Sequence, residues 1–323
     1  NLGKAAGQPV SVSITNAWNG TQGSLSGPDA NGWYVATLNG SAGAGRFPAG
    51  ATMRAVALQG YFTQVSPAIA RHTVSVVRGV TGDVVRRKVV DPANCAKCHE
   101  WFEGHGGNRV YETQVCVTCH IPNLSSSGRG ANLSTYVPGS NASTDATIAE
   151  VGGDPLLWPE DTNNFKDLIH GIHGAGKRTT PYEFVRDRGS SGIYYYDWSE
   201  VTFPGILNDC TTCHLPGTYE MEAIVGGVLP SNRRTTTGNP GETGADVVNA
   251  RKTVPNATDF VNSPIASSCF YCHDSDPAID HMEQNGGAIG WPRSEFLARQ
   301  PTESCIVCHG EGRVADLNVV HAK

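Results

Sequence analysis

Ten cysteines occur in this chain of 323 residues, and all ten fall into one repeated spacing. The five copies are Cys95-Ala-Lys-Cys98-His99, Cys116-Val-Thr-Cys119-His120, Cys210-Thr-Thr-Cys213-His214, Cys269-Phe-Tyr-Cys272-His273 and Cys305-Ile-Val-Cys308-His309. None is left over. C-x-x-C-H is the attachment signature of c-type haem: the two thiols form thioether bonds to the porphyrin vinyl groups, and the next residue offers an imidazole to the iron. The spacing suits a short turn that presents both sulfurs along one porphyrin edge while the histidine swings beneath the metal. Zinc knuckles, disulfides and thioredoxin-like pairs also use C-x-x-C, but they place no demand on the following residue. Histidine is only 11 of 323 residues, so five histidines after five pairs select covalent haem. The expected cofactors are five haem c groups, with calcium as a further candidate.

An iron so held needs a sixth ligand. Five of the eleven histidines close the motifs as proximal ligands, and the others are His72, His105, His170, His173, His281 and His321. Five irons against six candidates favours bis-histidine coordination throughout, and the three methionines could serve a minority of sites at most. Low potentials follow, because His/Met ligation is the arrangement that raises them. His170 and His173 stand three apart on a predicted helix, on neighbouring positions of one face, so if both bind iron they hold two different haems close together. His105 sits in Gly104-His105-Gly106-Gly107, where missing side chains let backbone approach a flat cofactor. His281 lies on a short helical stretch after the fourth motif. His72 and His321 compete for the last place. His321 is favoured because it follows the fifth motif closely, whereas His72 is in phase with Val74 and Val76 on a strand and has the ordinary reading of a packed structural histidine.

The remaining composition bounds the class. Lys and Arg number 24 against 30 Asp and Glu, a formal charge of -6 that argues against nucleic acid or a polybasic membrane surface. With 38 glycines and 19 prolines the chain is loop-rich, and 39% hydrophobic residues make a thin core. Porphyrins are therefore expected to supply apolar bulk, and a haem-free form to be largely unfolded. No apolar run approaches the roughly 18 residues of a spanning helix. Asn1 to Pro9 lacks the pattern of an export signal, so any such signal is expected to have been removed or to lie outside this sequence. Gly171 to Arg178 mimics a phosphate-binding loop, but Arg178 stands where Ser or Thr should hold magnesium.

Two domains are expected. Residues 1–90 contain no cysteine, and period-two alternation in Val10 to Thr15, Gly32 to Leu38, Thr52 to Phe62 and Arg71 to Val77 predicts short antiparallel strands in a small barrel or sandwich. Residues 91–323 carry every motif and little helical periodicity, with Asn163 to His173 and Asp280 to Gln284 as the better helices. Ser125 to Thr147 and Gly226 to Gly244 read as surface loops.

These residues together resemble the multihaem outer-membrane cytochromes of metal-respiring bacteria, the OmcA/MtrC type. The resemblance rests on Val90-Asp91 leading into the first motif, His105-Gly-Gly-Asn-Arg109, and Cys116 through Asn123. It continues in Phe165-Lys-Asp-Leu-Ile-His170-Gly-Ile-His173, in Val201-Thr-Phe-Pro204 ahead of Asn208-Asp-Cys210, in His281-Met-Glu-Gln-Asn-Gly286, and in Glu303-Ser-Cys305 through Gly310. It covers 90 to 323 and the first domain by position alone. It implies a barrel-like domain followed by a pentahaem domain with closely packed bis-His haems, at the bacterial outer-membrane surface or beyond. Such haems pass electrons to metal oxides, flavins or partner cytochromes. Most relatives carry two such units and ten haems, so this chain is expected to be half of a larger protein, a single-module relative, or a subunit whose haem chain continues between copies. A lipoprotein anchor cysteine is absent, so tethering does not carry over.

The leading expectation is an electron conduit or terminal metal reductase without catalytic side chains. One alternative is a reductase of small oxyanions with one open iron, disfavoured because every motif ends in His where such enzymes use C-x-x-C-K. The other is a polymerising filament subunit joined by haem contacts.

Overall fold

The computed structural model describes residues 2, 6–39, 47, 49–125, 133, 135–158, 160–234 and 243–321. The chain forms two compact units that interleave in sequence. One comprises 7–88 and 101–119 and is called here the sheet unit. The other comprises 1–6, 89–100 and 120–323 and is called the motif unit.

In the sheet unit, Ser13 accepts a hydrogen bond from Thr15 N and caps a five-residue helix, Ile14–Trp18. The strand predicted over Val10 to Thr15 is therefore absent, because a serine oxygen at a helix start outcompetes three weakly alternating positions. Of the other predicted strands, Gly32 to Leu38 forms as Val35–Leu38, while Thr52 to Phe62 and Arg71 to Val77 each fall across two strands, and Gly23–Ser26 lies where no strand was expected. Gly23–Ser26 pairs antiparallel with Val35–Leu38. Ala55–Leu58 and Tyr61–Gln64 run up one arm of a long ribbon, and Ile69–His72 and Val76–Gly79 run down the other. Between its two halves Gln59 and Gly60 oppose Thr73, Val74 and Ser75, a bulge of one extra residue. The bulge turns Ser75 to Val110: Ser75 N donates to its carbonyl and Val110 N donates to Ser75 Oγ. A bidentate Arg54–Asp83 pair at 2.7 and 2.8 Å closes the ribbon's base. Among the described residues these strands make two-stranded sheets and no closed barrel, so the expected barrel is corrected to separate antiparallel ribbons.

The motif unit is mostly irregular, with short helices and two small antiparallel sheets. Phe165–Gly174 is its central helix, amphipathic and capped by Asn164. The second predicted helix is longer than expected, Asp276–Gln284. Parts of both predicted loops are regular: Ala142–Val151 is a helix, and Asn232–Arg234 pairs with Phe260–Asn262. Within those loops residues 126–132, 134 and 235–242 lie outside the described residues. The core is aromatic, with Tyr182, Phe184 and Tyr271 buried and Trp198, Tyr196, Phe270, Leu168 and Ile172 packed on them. Tyr182 and Phe184 come from the hairpin Glu183–Asp187 with Ile193–Asp197 and the residue before it.

Candidate haem centres

The motifs ride on short helices or helical turns. Pro92–His99 carries Cys95, Cys98 and His99, with Asp91 as its cap and Pro92 in its first turn. Thr113–Cys119 carries the second pair. In the last three motifs the histidine N–H donates to the carbonyl of the first cysteine, at 2.9 Å for His214, 2.8 Å for His273 and 2.9 Å for His309. One turn of helix puts residues three and four apart on a common face, which is why two thiols and an imidazole at this spacing meet one flat cofactor. In these three motifs and the first, no cysteine forms a disulfide. Among the described residues no group of three or more His, Cys, Asp or Glu side chains gathers as a metal cluster, whereas structural zinc needs four ligands.

The unattached histidines stand opposite the motif histidines. Ring centroids lie 5.9 Å apart for His99 and His173, 6.0 Å for His214 and His170, 6.1 Å for His273 and His321, and 6.1 Å for His309 and His281. Two imidazole nitrogens each about 2 Å from one shared metal ion put their ring centroids about 6 Å apart. The donor set fits haem iron held from both faces. His170 and His173, three residues apart on one helix, face different motifs, the third and the first.

Hydrogen bonds decide which ring nitrogen is available. Nδ1 of His120, His173, His309 and His321 donates to the carbonyls of Asn163, Ile169, Ala315 and Leu317, at 2.9, 2.9, 3.0 and 3.2 Å. A carbonyl only accepts, so the proton sits on Nδ1 and the lone pair on Nε2, the nitrogen that a metal takes. Burial pushes the His170 imidazolium down to about 3, helped by the neighbouring His214, and also lowers His120 and His321. Neutral imidazole is the ligand form. Burial raises Cys95 and Cys305 to about 11 and Cys269 to about 12. Such thiols stay protonated and are poor thiolate donors.

Several positioning residues escaped the sequence. Gly171 and Gly174 lie between and beside the two histidines of the central helix. A Cβ on Gly171 would meet the Tyr182 ring, with Cε2 at 2.7 Å and Cε1 at 2.8 Å, and one on Gly174 would lie 2.9 Å from the Tyr271 carbonyl. Gly171 lets the helix lie directly on Tyr182, and Gly174 lets it lie on the fourth motif. Arg178 stacks over Tyr182, Phe270 and Tyr271 at 5.3 to 5.5 Å and donates to the Phe270 carbonyl. It pairs with Asp274, the residue after His273, which also accepts from Thr179 N and Thr180 N. Glu303 accepts from Ser263 Oγ, Ile265 N and Ala266 N, clamping the start of Ala266–Phe270, the helix with Cys269. The only sequence signal was that Asp274 and Glu303 flank motifs.

In the sheet unit, His105 adopts φ 55 in the turn joining Glu103–Gly104 to Arg109–Val110. His72 lies 3.8 Å from Glu103 Oε2 and edge-on to Tyr61 at 5.9 Å. Its ring fills the space where Gly107, at φ 91, lacks a side chain.

With this geometry, known proteins bear directly on the chain. The family profile of outer membrane cytochrome MtrC/MtrF-like domains II/IV matches residues 87–322. The chain belongs to the MtrC/MtrF-like outer-membrane cytochromes. As an MtrC/MtrF-like cytochrome it is a haem c protein. Among the described residues of this MtrC/MtrF-like chain, no helix is long and apolar enough to cross a membrane. It is similar to the crystal structure of the outer membrane decaheme cytochrome OmcA, at 18% identity and a TM-score of 0.37. That likeness covers 79% of this chain and 30% of the other, so the chain spans less than a third of that relative. No curated protein matches.

Proposed function

We propose that the chain is a pentahaem module for extracellular electron transfer, with residues 91–323 as its haem domain and 1–90 as an antiparallel β domain. Four imidazole pairs at 5.9 to 6.1 Å carry the reading. Each pair joins a histidine following C-x-x-C to one far away in sequence, which packing alone gives no reason to repeat four times. The proposed covalent sites are Cys95/Cys98, Cys116/Cys119, Cys210/Cys213, Cys269/Cys272 and Cys305/Cys308. The proposed axial pairs are His99 with His173, His214 with His170, His273 with His321, and His309 with His281. His120 is the fifth proximal ligand, and His105 is the remaining distal candidate ahead of His72.

Bound haem c supplies reversible one-electron chemistry. The chain's own part is to hold imidazoles neutral with Nε2 forward, to fix their spacing on short rigid turns, and to leave no ligand position open. Metal oxides, flavins and partner cytochromes are the proposed acceptors, at the cell surface. Intact mass with a pyridine haemochrome assay is expected to give five haems per chain, all low-spin by magnetic resonance. A high-spin haem that binds nitrite or sulfite with turnover would replace this reading with a reductase.

A further inference from the structure

The electron-transfer reading leaves the ribbon of the sheet unit unexplained. Both of its faces are apolar and exposed: Leu58 is 62% exposed, Tyr61 64%, Phe62 57% and Val65 93%. Each ribbon strand has one hydrogen-bonded neighbour among the described residues. A two-stranded ribbon with uncovered apolar faces is marginal in water, and open edges invite pairing with another chain.

Charge says what covers it. The sheet unit carries eight Lys and Arg against four Asp and Glu, a net +4, while the motif unit carries 16 against 26, a net -10. The ribbon from 55 to 79 holds Arg71 and Arg78, both exposed, and no acid. Glu200, Glu222, Asp276, Asp280 and Glu311 are exposed on the motif unit. Ribbon against ribbon would set like charges together, whereas ribbon against motif unit sets opposite charges together.

We propose that the ribbon of one copy docks on the acidic motif unit of a second copy of this chain. Such a contact is heterologous: a pair of copies keeps one unused ribbon and one unused acidic surface, so copies add head to tail, into a ring where the rotation closes and into an open row where it does not. The inference stands on exposure and charge and does not depend on the haems conducting.

The test is sedimentation velocity of the haem-loaded chain over a concentration series at low and high salt. The average mass is expected to rise with concentration and to fall as salt screens the contact. Arg71→Glu with Arg78→Glu is expected to weaken association about tenfold or more, with an unchanged haem spectrum. Mixed into wild type, that variant still offers an acidic surface and no competent ribbon, so it caps rows and shortens them. Wild type sedimenting as a monomer in every condition overturns the proposal, and should the variant misfold, this salt series decides alone. Association insensitive to salt also overturns it, as does a folded variant that fails to enter wild-type assemblies. Capture of monomers by anionic vesicles without self-association would assign the ribbon to lipid instead.

Discussion

Gly171→Ala adds one methyl group at the most crowded point of the central helix. Its Cβ would stand 2.7 and 2.8 Å from two Tyr182 ring carbons, where carbon atoms in contact keep about 3.5–4.0 Å. The ring cannot step aside. Phe184, Trp198 and Tyr271 surround it at centroid distances of 5.0, 5.8 and 5.9 Å, and Arg178 caps it at 5.5 Å. Overpacking a rigid site costs about 1–3 kcal/mol, and this boxed ring belongs at the upper end. Replacing glycine by alanine inside a helix returns about 1 kcal/mol. The net expectation is a loss of about 2 kcal/mol in guanidinium unfolding of the haem-loaded protein followed by far-UV circular dichroism. In a Tyr182→Leu background the same change is expected to cost nothing or to stabilise, because the obstacle is gone. A Gly171→Ala protein as stable as wild type, or one losing equally in both backgrounds, would refute the close-approach argument.

His170→Met and His173→Met are each expected to alter one low-spin haem signal, and different ones, since the rings face His214 and His99; a shared change at a single haem contradicts the assignment. Asp167, wholly buried, has its carboxyl pushed up to about 6 by that burial, with Lys166 2.8 Å away pulling it down. The native state therefore holds a proton the unfolded chain has released, so stability falls as pH rises from about 4 to about 6 and is level above, a loss of about 3 kcal/mol. Asp167→Asn is expected to flatten that interval in unfolding curves taken across pH; an unchanged slope assigns it elsewhere. Arg178→Ala removes three ring contacts and leaves Asp274 buried with backbone donors alone, an expected loss of about 3 kcal/mol by the same unfolding assay; a loss under about 1 kcal/mol would deny Arg178 its central place.

What could be read from the sequence was whatever is written within one or two helical turns. C-x-x-C-H is local, and so is the helix with His170 and His173, which the structure places at Phe165–Gly174. The strands of the ribbon were legible from alternation, but its bulge was not, because it depends on Ser75 meeting Val110. The hairpin at 183–197 went unread, since it carries charges at its ends and draws its stability from rings packed beneath it. Ser13 looked like one more alternating residue until its oxygen is seen capping a helix. Least legible were Arg178 with Asp274 and Glu303 with Ala266, partners tens of residues apart whose meaning appears only when the central helix and the fourth motif are packed together.

The central helix sets two imidazoles three residues apart, about 4.5 Å along its axis. On the ligation proposed here, the separation of two redox centres is then fixed by helical pitch, as by a ruler, and not by how loosely neighbouring loops are held. Breathing elsewhere in a glycine-rich chain would leave the tunnelling gap between those two centres untouched, so the electronic coupling across it should vary little with whatever binds elsewhere on the molecule.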